Sequence, residues 1–549
     1  MIVKKNGDNL WISFNYDPRL VVLVKSLIGR VYNPREKCWQ IPIAGSYASV
    51  TILRRAGFII SDDVMRAVID EESRERDLKR LQETEGVEME SALPLYSFQK
   101  VGVEFMVRSG GCLNAFEPGL GKTLCALATC ERVKADRVLV LAPKSTIYQW
   151  QGEIRRWLGG DRNAVVVFGD KKERGEIYDS IAQKASWFLV MGYETFRIDE
   201  IANKWRFDVV IIDEAQKLGN PRTKLYKAIM KIRSDKKYAL SGTPIMNRAM
   251  DIWGIINAVR PGVLGGYYQF IERYCKKDHW GGIVGYQNMD ELRDRIQNFM
   301  IRKTMNEVGL ELPEKTIIDI PFVLAGKEKE LYQKIREELL FEIDKALLSK
   351  IENPVQLQNT IVKMTRLQQL SDSMELIGDG TESSKLEILK EKLEEVLIDG
   401  QKAIIFSRFS TMCKILKREL SEYQPAMITG DIETKARAGE IKRFDGDEKC
   451  RVLISSEAGG AGLNIQRANV VIHYDLPYSV GKYEQRNGRS YRIGQKRHVT
   501  VYNLLAKGTI DMAVKNILYK KRELSADLLD NPIRNLEQIK ELLCYETRD

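Results

Sequence analysis

The chain has 549 residues, 44% hydrophobic and 30% charged, with a formal net charge of +10, which is too long for one ordinary core and implies two or three domains. No apolar run approaches the roughly 20 residues of a membrane span, and MIVKKNGDNL lacks a signal-peptide core, so no membrane partner is expected. Eight scattered cysteines without a C-x-x-C and three isolated histidines (His279, His473, His498) argue against zinc and a disulfide framework, and for a reducing compartment.

Residues 1–60 carry nine Lys/Arg against three Asp/Glu, a net +6. Their pattern predicts a small α+β module: WISFNY as strand, DPRLVVLVKSL as helix, a turn, then CWQIPI as strand. Residues 61–90 carry five Lys/Arg against eleven Asp/Glu, a net −6, and predict a charged helix followed by a linker or spacer. From about residue 91, short buried strands alternate with helices (RVLVLAP, AVVVFG, WFLVMGY, FDVVIIDEA, KYALSGTP), the form of a parallel sheet covered on both faces. Residues 250–385 read as mostly helical. A second alternating set follows, KAIIFSRF, PAMITG, RVLISS, NVVIHYD and VTVYNLL, with helices from Thr509 onward. The expected domains are 1–60, the linker 61–90, a first lobe with a helical protrusion over 91–318, and 319–549. That last part holds a second protrusion, a second lobe at about 385–510 and C-terminal helices.

FEPGLGKTL (116–124) raises the question of phosphate binding. The strict P-loop is not met, since Phe116 stands where it wants glycine, but Gly119-x-Gly121-Lys122-Thr123 remains. Glycines let backbone N–H groups surround an anion, Lys122 suits the β- and γ-phosphates, and the Thr123 hydroxyl suits Mg²⁺. CLNAF before it reads as a buried strand, and TLCALATCERV after it as a helix whose N-terminus faces the phosphates. A plain glycine turn between strand and helix is the alternative. FDVVIIDEAQ (207–216) supplies two acids where a buried strand ends, the edge at which open α/β sheets bind ligands. Asp213 is the candidate for holding Mg²⁺ and Glu214 for orienting or deprotonating water.

With these residues the chain resembles the Swi/Snf family of DNA translocases, within the superfamily-two helicase-like ATPases, over about residues 93–515. LYSFQ (95–99) is similar to the family's adenine-reading segment, with Gln99 as the reading amide. EPGLGKT stands where the family usually has D-E-M-G-L-G-K-T. VLVLAPKSTIYQW (138–150) and VMGYETF (190–196) match segments that lie along a DNA strand. DEAQ replaces the usual D-E-x-H, so Gln216 takes the histidine's coupling position, and LSGTPIMN (240–247) adds Ser241 and Thr243 to that coupling set. SSEAGGAGLNIQRANVVIHYD (455–475) and QRNGRSYRIGQKR (485–497) resemble the fifth and sixth motifs, although Gly488 stands where an acid is usual.

The resemblance implies an α/β fold of two RecA-like parallel-sheet lobes with helical protrusions, ATP and Mg²⁺ as cofactors, and DNA, duplex or forked, as partner. Gly462 joins the nucleotide-binding residues, and Arg489 and Arg492 are implied to stabilise the γ-phosphate when the lobes close. Backbone contacts to DNA are expected from Lys144-Ser145, Gly192-Tyr193 and Ala461–Asn464, since phosphates recur regardless of sequence. FNYDPRLVVLVKSLIGRVYNPREKCWQIPI (14–43) also resembles the HARP module of annealing helicases. There Lys25, Arg30, Arg35 and Lys37 surround Tyr32 and Trp39, either as a nucleic-acid surface or as a solvated shell around a core containing Trp39 and Phe14. The expected function is an ATP-dependent double-stranded DNA translocase or remodeller, acting on forks or annealing strands. A strand-separating helicase on DNA or RNA, and an ATP-gated DNA-binding subunit of a defence complex with a protein partner, are the alternatives. The expected location is cytoplasmic and nucleoid-associated in a prokaryote or virus, and nuclear in a eukaryote.

Overall fold

The computed structural model describes every residue except 160–161, 202–203, 243–248, 278, 280–281, 309–312, 349–353, 379, 398–399, 458–464, 525–539 and 541–549. The chain forms two compact units, Met1–Gly309 and Leu310–Asp549.

The first unit begins with a five-stranded sheet of β1 (Ile2–Asn6), β2 (Asn9–Ser13), β3 (Val31–Asn33), β4 (Cys38–Pro42) and β5 (Ile59–Ile60), ordered β3-β4-β2-β1-β5. Asp17 caps the helix Pro18–Ser26 by accepting from the Arg19 N–H at 2.8 Å, with Pro18 at its first position, where a missing N–H costs nothing. The register pairs Ile12 with Trp39 and Trp39 with Tyr32. Directly paired residues share a face, and Ile12 is fully buried, so Trp39 lies on the core side and packs against that core. Tyr32 covers it from outside, ring centroids 5.2 Å apart. Phe14 packs edge-on against Phe58. Phe14 and Trp39, the rings named as the alternative to a nucleic-acid surface, are therefore half-buried and pack against the module's core.

The charged segment is no free spacer. Its helix, Asp62–Glu83, straps the module to the sheet unit that follows. Glu75 accepts from the Gly45 N–H at 2.8 Å, Arg260 lies 3.6 Å from Glu71, and the Lys303 ammonium donates to the Gln82 carbonyl at 2.9 Å. Gly29, at φ 76°, sits so close to residue 262 that a Cβ would stand 2.8 Å from the Gly262 carbonyl oxygen. A side chain there would push the module off its seat.

Next come β6 (Gly111–Asn114), β7 (Arg137–Ala142), β8 (Ala164–Val166), β9 (Trp187–Gly192), β10 (Arg206–Asp213) and β11 (Arg233–Leu240), then the hairpin β12 (Cys275–Lys277) and β13 (Ile283–Tyr286), and β14 (Met300–Ile301). Seven of these make a wholly parallel sheet, β14-β6-β11-β10-β7-β9-β8. Val209–Ile212 and Val138–Ala142 are fully buried, as expected of strands covered on both faces. The hairpin and β14 fall inside the stretch read as mostly helical.

The second unit holds β15 (Lys315–Val323), β16 (Ala403–Ser407), β17 (Ala426–Ile428), β18 (Val452–Ser456), β19 (Val470–His473) and β20 (Val499–Lys507), parallel throughout in the order β15-β20-β19-β16-β18-β17. The expected boundary at 318/319 cuts β15, which pairs along nine residues with β20. As the outermost strand it tolerates Pro321 and alternates in exposure, so it lacks the continuous apolar run that marked the inner strands.

Two buried polar clusters organise this unit. Lys385, wholly buried, donates to Asp372 at 2.8 Å and Asp511 at 2.6 Å. Burial opposes its charge, and the two carboxylates outweigh burial, holding the ammonium above its ordinary range. It joins the helices Pro354–Asp372, Ser384–Val396 and Ile510–Leu524. His473, also fully buried, stacks on Tyr483 with centroids 4.5 Å apart. Its Nε2 meets the Asn487 side-chain oxygen Oδ1 at 2.9 Å, and its Nδ1 faces Arg486 at 3.3 Å. That arrangement suits the neutral ring: Nε2–H donates and Nδ1 accepts. Burial, reinforced by the Arg486 charge, lowers the His473 pKa to about 3. An unfolded histidine titrates near 6.5, so as pH falls the unfolded chain takes up this proton first. The contribution is complete above about 6.5 and is lost as pH falls towards 3. We predict that His473→Gln shallows the acid limb of urea stability between pH 6 and 4, by up to about 1.4 kcal/mol per pH unit; an unchanged slope would contradict it.

Candidate functional site

The glycine loop lies between β6 and the helix Lys122–Arg132. Gly119 and Gly121 take φ of 93° and 79°, a left-handed course that side chains resist. At Gly121 a Cβ would also stand 2.4 Å from the Gln99 amide nitrogen. Gln99 is 2% exposed; its nitrogen donates to the Leu120 carbonyl at 3.1 Å, and its oxygen accepts from the Tyr96 N–H at 3.0 Å. The residue named for base reading thus braces the loop from behind. The Lys122 ammonium donates to the carbonyls of Phe116 (2.7 Å) and Glu117 (3.2 Å). Thr123, half-buried, occupies the second position of the helix. Glu117, the remnant of the family's acidic pair, accepts from the Met305 N–H at 2.7 Å. It thereby anchors the loop to the chain just beyond β14.

Opposite stands the end of β10. Asp213 is half-buried and accepts from the Trp150 indole N–H at 2.9 Å and, through Oδ1, from the Glu214 N–H at 3.0 Å. Burial first, and the neighbouring Glu214 charge second, push its pKa up to about 6, against the opposing pull of the Trp150 N–H and Lys122. Glu214 turns the chain at φ 52°, a conformation a side chain adopts only when its surroundings enforce it. The Gln216 amide donates to the Glu214 carboxylate at 2.5 Å, and its oxygen accepts from the Ser241 hydroxyl at 2.8 Å. Gly242 follows, where a Cβ would stand 3.2 Å from the Lys122 ammonium. Gln99, Gly119, Gly121, Lys122, Thr123, Asp213, Glu214, Gln216 and Ser241 are thus gathered on one edge of one sheet. Thr243 lies outside the described residues.

Lys144 is exposed and Ser145 half-buried, in the turn after β7. A Cβ on Gly192, at the end of β9, would stand 4.0 Å from the Lys144 Cα, so the two turns expected to follow a DNA strand adjoin. Tyr193 is 4% exposed, and its hydroxyl donates to the Asp213 carbonyl. Any nucleic-acid contact at 193 falls to the backbone, not the side chain. In the module, Arg30 donates to the Leu27 carbonyl at 2.9 Å. Burial lowers its pKa, and the Glu272 charge opposes that. Lys37 is exposed at φ 48°.

In the second unit Arg489, with Arg408, Lys482 and Arg486, lines a cavity of about 460 Å³ that also holds Asp431 and Glu457. Arg492, half-buried, is not among the lining residues. Gly462 and Asn464 lie outside the described residues. Sequence reasoning missed Arg486, 5% exposed, which donates to the Asp475 carbonyl at 2.7 Å. Asp475 in turn accepts from the Ser407 hydroxyl at 2.6 Å and the Arg408 N–H at 2.9 Å. It also missed Trp150, although the W closes VLVLAPKSTIYQW, the segment expected to lie along a DNA strand.

A family model for the SNF2-related domain matches residues 98–376, and one for the helicase conserved C-terminal domain matches 384–494. An uncharacterized ATP-dependent helicase of Mycoplasma genitalium is 30% identical over 78% of this chain and 42% of its own length. Another from Bacillus subtilis, YqhH, is 28% identical over 75% of each chain. The RAD54-like DNA repair and recombination protein of Danio rerio is 25% identical over 79% of this chain and 66% of its own. This chain spans less than half the length of its Mycoplasma relatives, 42% and 43%. The first match covers more than half of the 549 residues, and the chain belongs to the SNF2-related family.

Proposed function

We propose that this chain is an ATP-dependent translocase or remodeller of double-stranded DNA. The observation that carries the reading is the run Glu214–Gln216–Ser241, hydrogen-bonded end to end and leading into Gly242 against Lys122. A carboxylate suited to activating water is thereby connected to the residue beside which the phosphate-binding lysine stands. The relatives' descriptions as ATP-dependent helicases, and as a DNA repair and recombination protein, support the reading.

The residues fit a Mg²⁺-nucleotide. The left-handed glycines leave the loop open to backbone N–H donation, and Gly242 leaves free the space a Cβ would fill beside Lys122. Thr123 and Asp213 would hold Mg²⁺, which supplies charge neutralisation on the phosphate oxygens. Lys122 would turn from the Phe116 and Glu117 carbonyls to the phosphate oxygens. Glu214 orients or deprotonates the attacking water, and the Gln216 amide holds its carboxylate in place. Catalytic parts for Arg489 and Arg492 belong to the same proposal. Backbone N–H groups at Lys144-Ser145 and Gly192-Tyr193 follow one strand by its phosphates, a contact that repeats regardless of sequence. The module then biases the choice of DNA structure, forks included, through the exposed Arg35, Lys37 and Tyr32 beside a net charge of +6 over residues 1–60.

Two outcomes test the proposal. ATP turnover is to be measured without nucleic acid and with single-stranded DNA, duplex, fork and RNA; duplex or fork should stimulate most. Displacement of a triplex third strand, without separation of the duplex, distinguishes translocation from strand separation. In that assay Lys122→Ala should weaken nucleotide binding, whereas Glu214→Gln should retain binding and slow turnover by roughly 10²-fold or more. Near-normal turnover in either variant would overturn the site. For the module, Lys37→Ala should reduce the slope of log K against log salt on forked DNA by about 0.9 and leave the melting temperature unchanged. An unchanged slope removes Lys37 from the interface.

A further inference from the structure

The DNA-facing turns and the Asp213–Glu214 turn are physically joined. The joining side chains are Trp150 and Tyr193, neither of which the nucleotide reading uses. Trp150, 2% exposed, sits one helical turn beyond the Lys144-Ser145 turn. Its N–H donates to the Thr146 carbonyl at 2.9 Å, and the Thr146 N–H donates to the Pro143 carbonyl at 2.9 Å. The Thr146 hydroxyl donates to that same Pro143 carbonyl at 3.1 Å. Turn and first helical turn are thus one stiff piece, and its indole N–H ends on the Asp213 carboxylate at 2.9 Å. Tyr193 opens the helix Tyr193–Ile198 directly after Gly192, and its hydroxyl ends on the Asp213 backbone carbonyl. One residue, Asp213, is therefore gripped at both its carboxylate and its carbonyl, once from beyond the end of the adjacent strand β7 and once from beyond the end of β9, one strand further out.

The gripped residue precedes a left-handed, non-glycine position, Glu214 at φ 52°. Such a turn persists only where its neighbours over-determine it. A movement of either strand-end turn, transmitted through part-buried, directional bonds, is felt where Glu214 is aimed. We propose, resting on the translocase reading above, that Trp150 and Tyr193 are positioning residues that couple occupancy of the 143–146 and 192–193 turns by a DNA strand to the setting of the Asp213–Glu214 pair. Two turns with separate tethers to one residue give an arrangement in which contact with successive phosphates at both turns sets the site. The ligand at the turns is the sugar–phosphate backbone; the responding group is the carboxylate pair.

Coupling between two ligands is reciprocal in binding free energy, so it can be read without turnover. The affinity of full-length protein for a fluorescent 30-base-pair duplex is to be measured by anisotropy, with and without saturating Mg²⁺ and a non-hydrolysable ATP analogue. The ratio of the two affinities is the readout, compared among the wild type, Trp150→Phe and Tyr193→Phe. Each change keeps an aromatic ring and deletes one hydrogen-bond donor, and thermal melting checks folding for each. A hydrogen bond to a charged group commonly accounts for about tenfold or more in an equilibrium. The Trp150→Phe ratio should accordingly fall to within about twofold of unity, with a smaller fall in Tyr193→Phe. Folded variants that keep the wild-type ratio overturn the proposal. Should Trp150→Phe fail to fold, Tyr193→Phe decides by the same criterion. A wild type whose duplex affinity ignores nucleotide overturns the coupling at its root. Absence of DNA-stimulated turnover in that wild type is what would identify the translocase reading itself as the failure. A loss of melting stability with the ratio retained assigns both residues to packing alone and likewise overturns it.

Discussion

The turn after β10 is the constraint on which the candidate site depends. Glu214 occupies a left-handed conformation that costs a side chain about 1–3 kcal/mol, and it is held by bonds made on either side of it. Trp150 and Tyr193 fix Asp213 before it; Gln216, bonded to Ser241, fixes the Glu214 carboxylate after it. An extended residue at 214 would instead continue the strand and set its side chain on one face of the sheet. The parallel sheet makes the arrangement available, because β7, β9, β10 and β11 all deliver their ends to one edge.

The facing loop is built on the opposite physical device. It uses two residues with no side chain to take a course that side chains resist, then braces that course with partners from elsewhere. Gln99 holds the Leu120 carbonyl, and Glu117 holds the chain beyond β14. Phe116 stands where the family usually has the first acid, and the Glu117 carboxylate and backbone N–H both hold the chain beyond β14. Lys122, resting on two loop carbonyls, is positioned inside the loop and not out in solvent, so its charge is already directed at the space the glycines leave open.

The second unit solves a different problem, that of joining helices distant in sequence to one sheet. A single buried ammonium, Lys385, meets carboxylates 13 residues before it and 126 residues after it. Removing such a partner would leave buried charge uncompensated, a loss commonly of about 3–5 kcal/mol. The cluster thereby ties the segment MTRLQQLSD to the lobe it precedes: Asp372 binds Lys385, and Gln368 accepts from Arg408. Arg408 itself stands over the Tyr478 ring at 4.5 Å and lines the cationic cavity with Arg489.

The sequence by itself determined what depends on local pattern. Continuous apolar runs marked the inner strands of both sheets, because a strand covered on both faces has no polar side to show. The glycines at 119 and 121, the acids at 213 and 214, and the ordered motifs marked the family, because each belongs to a short segment whose chemistry survives without its neighbours. Tertiary structure alone decided what depends on partners far apart in the chain. The edge strand β15 escaped notice, since half its residues face outward and Pro321 argues against a strand unless it lies at an edge. The acidic helix 62–83 read as a spacer because its charges look solvated; only the fold brings Glu71 to Arg260 and Glu75 to Gly45. Trp39 could have faced nucleic acid or core until the register paired it with buried Ile12. Trp150 and Tyr193 carried no sign of their contact with Asp213, 63 and 20 residues away. A hydrogen bond between strand ends is a property of sheet order, and sheet order is settled by packing, which no local pattern encodes.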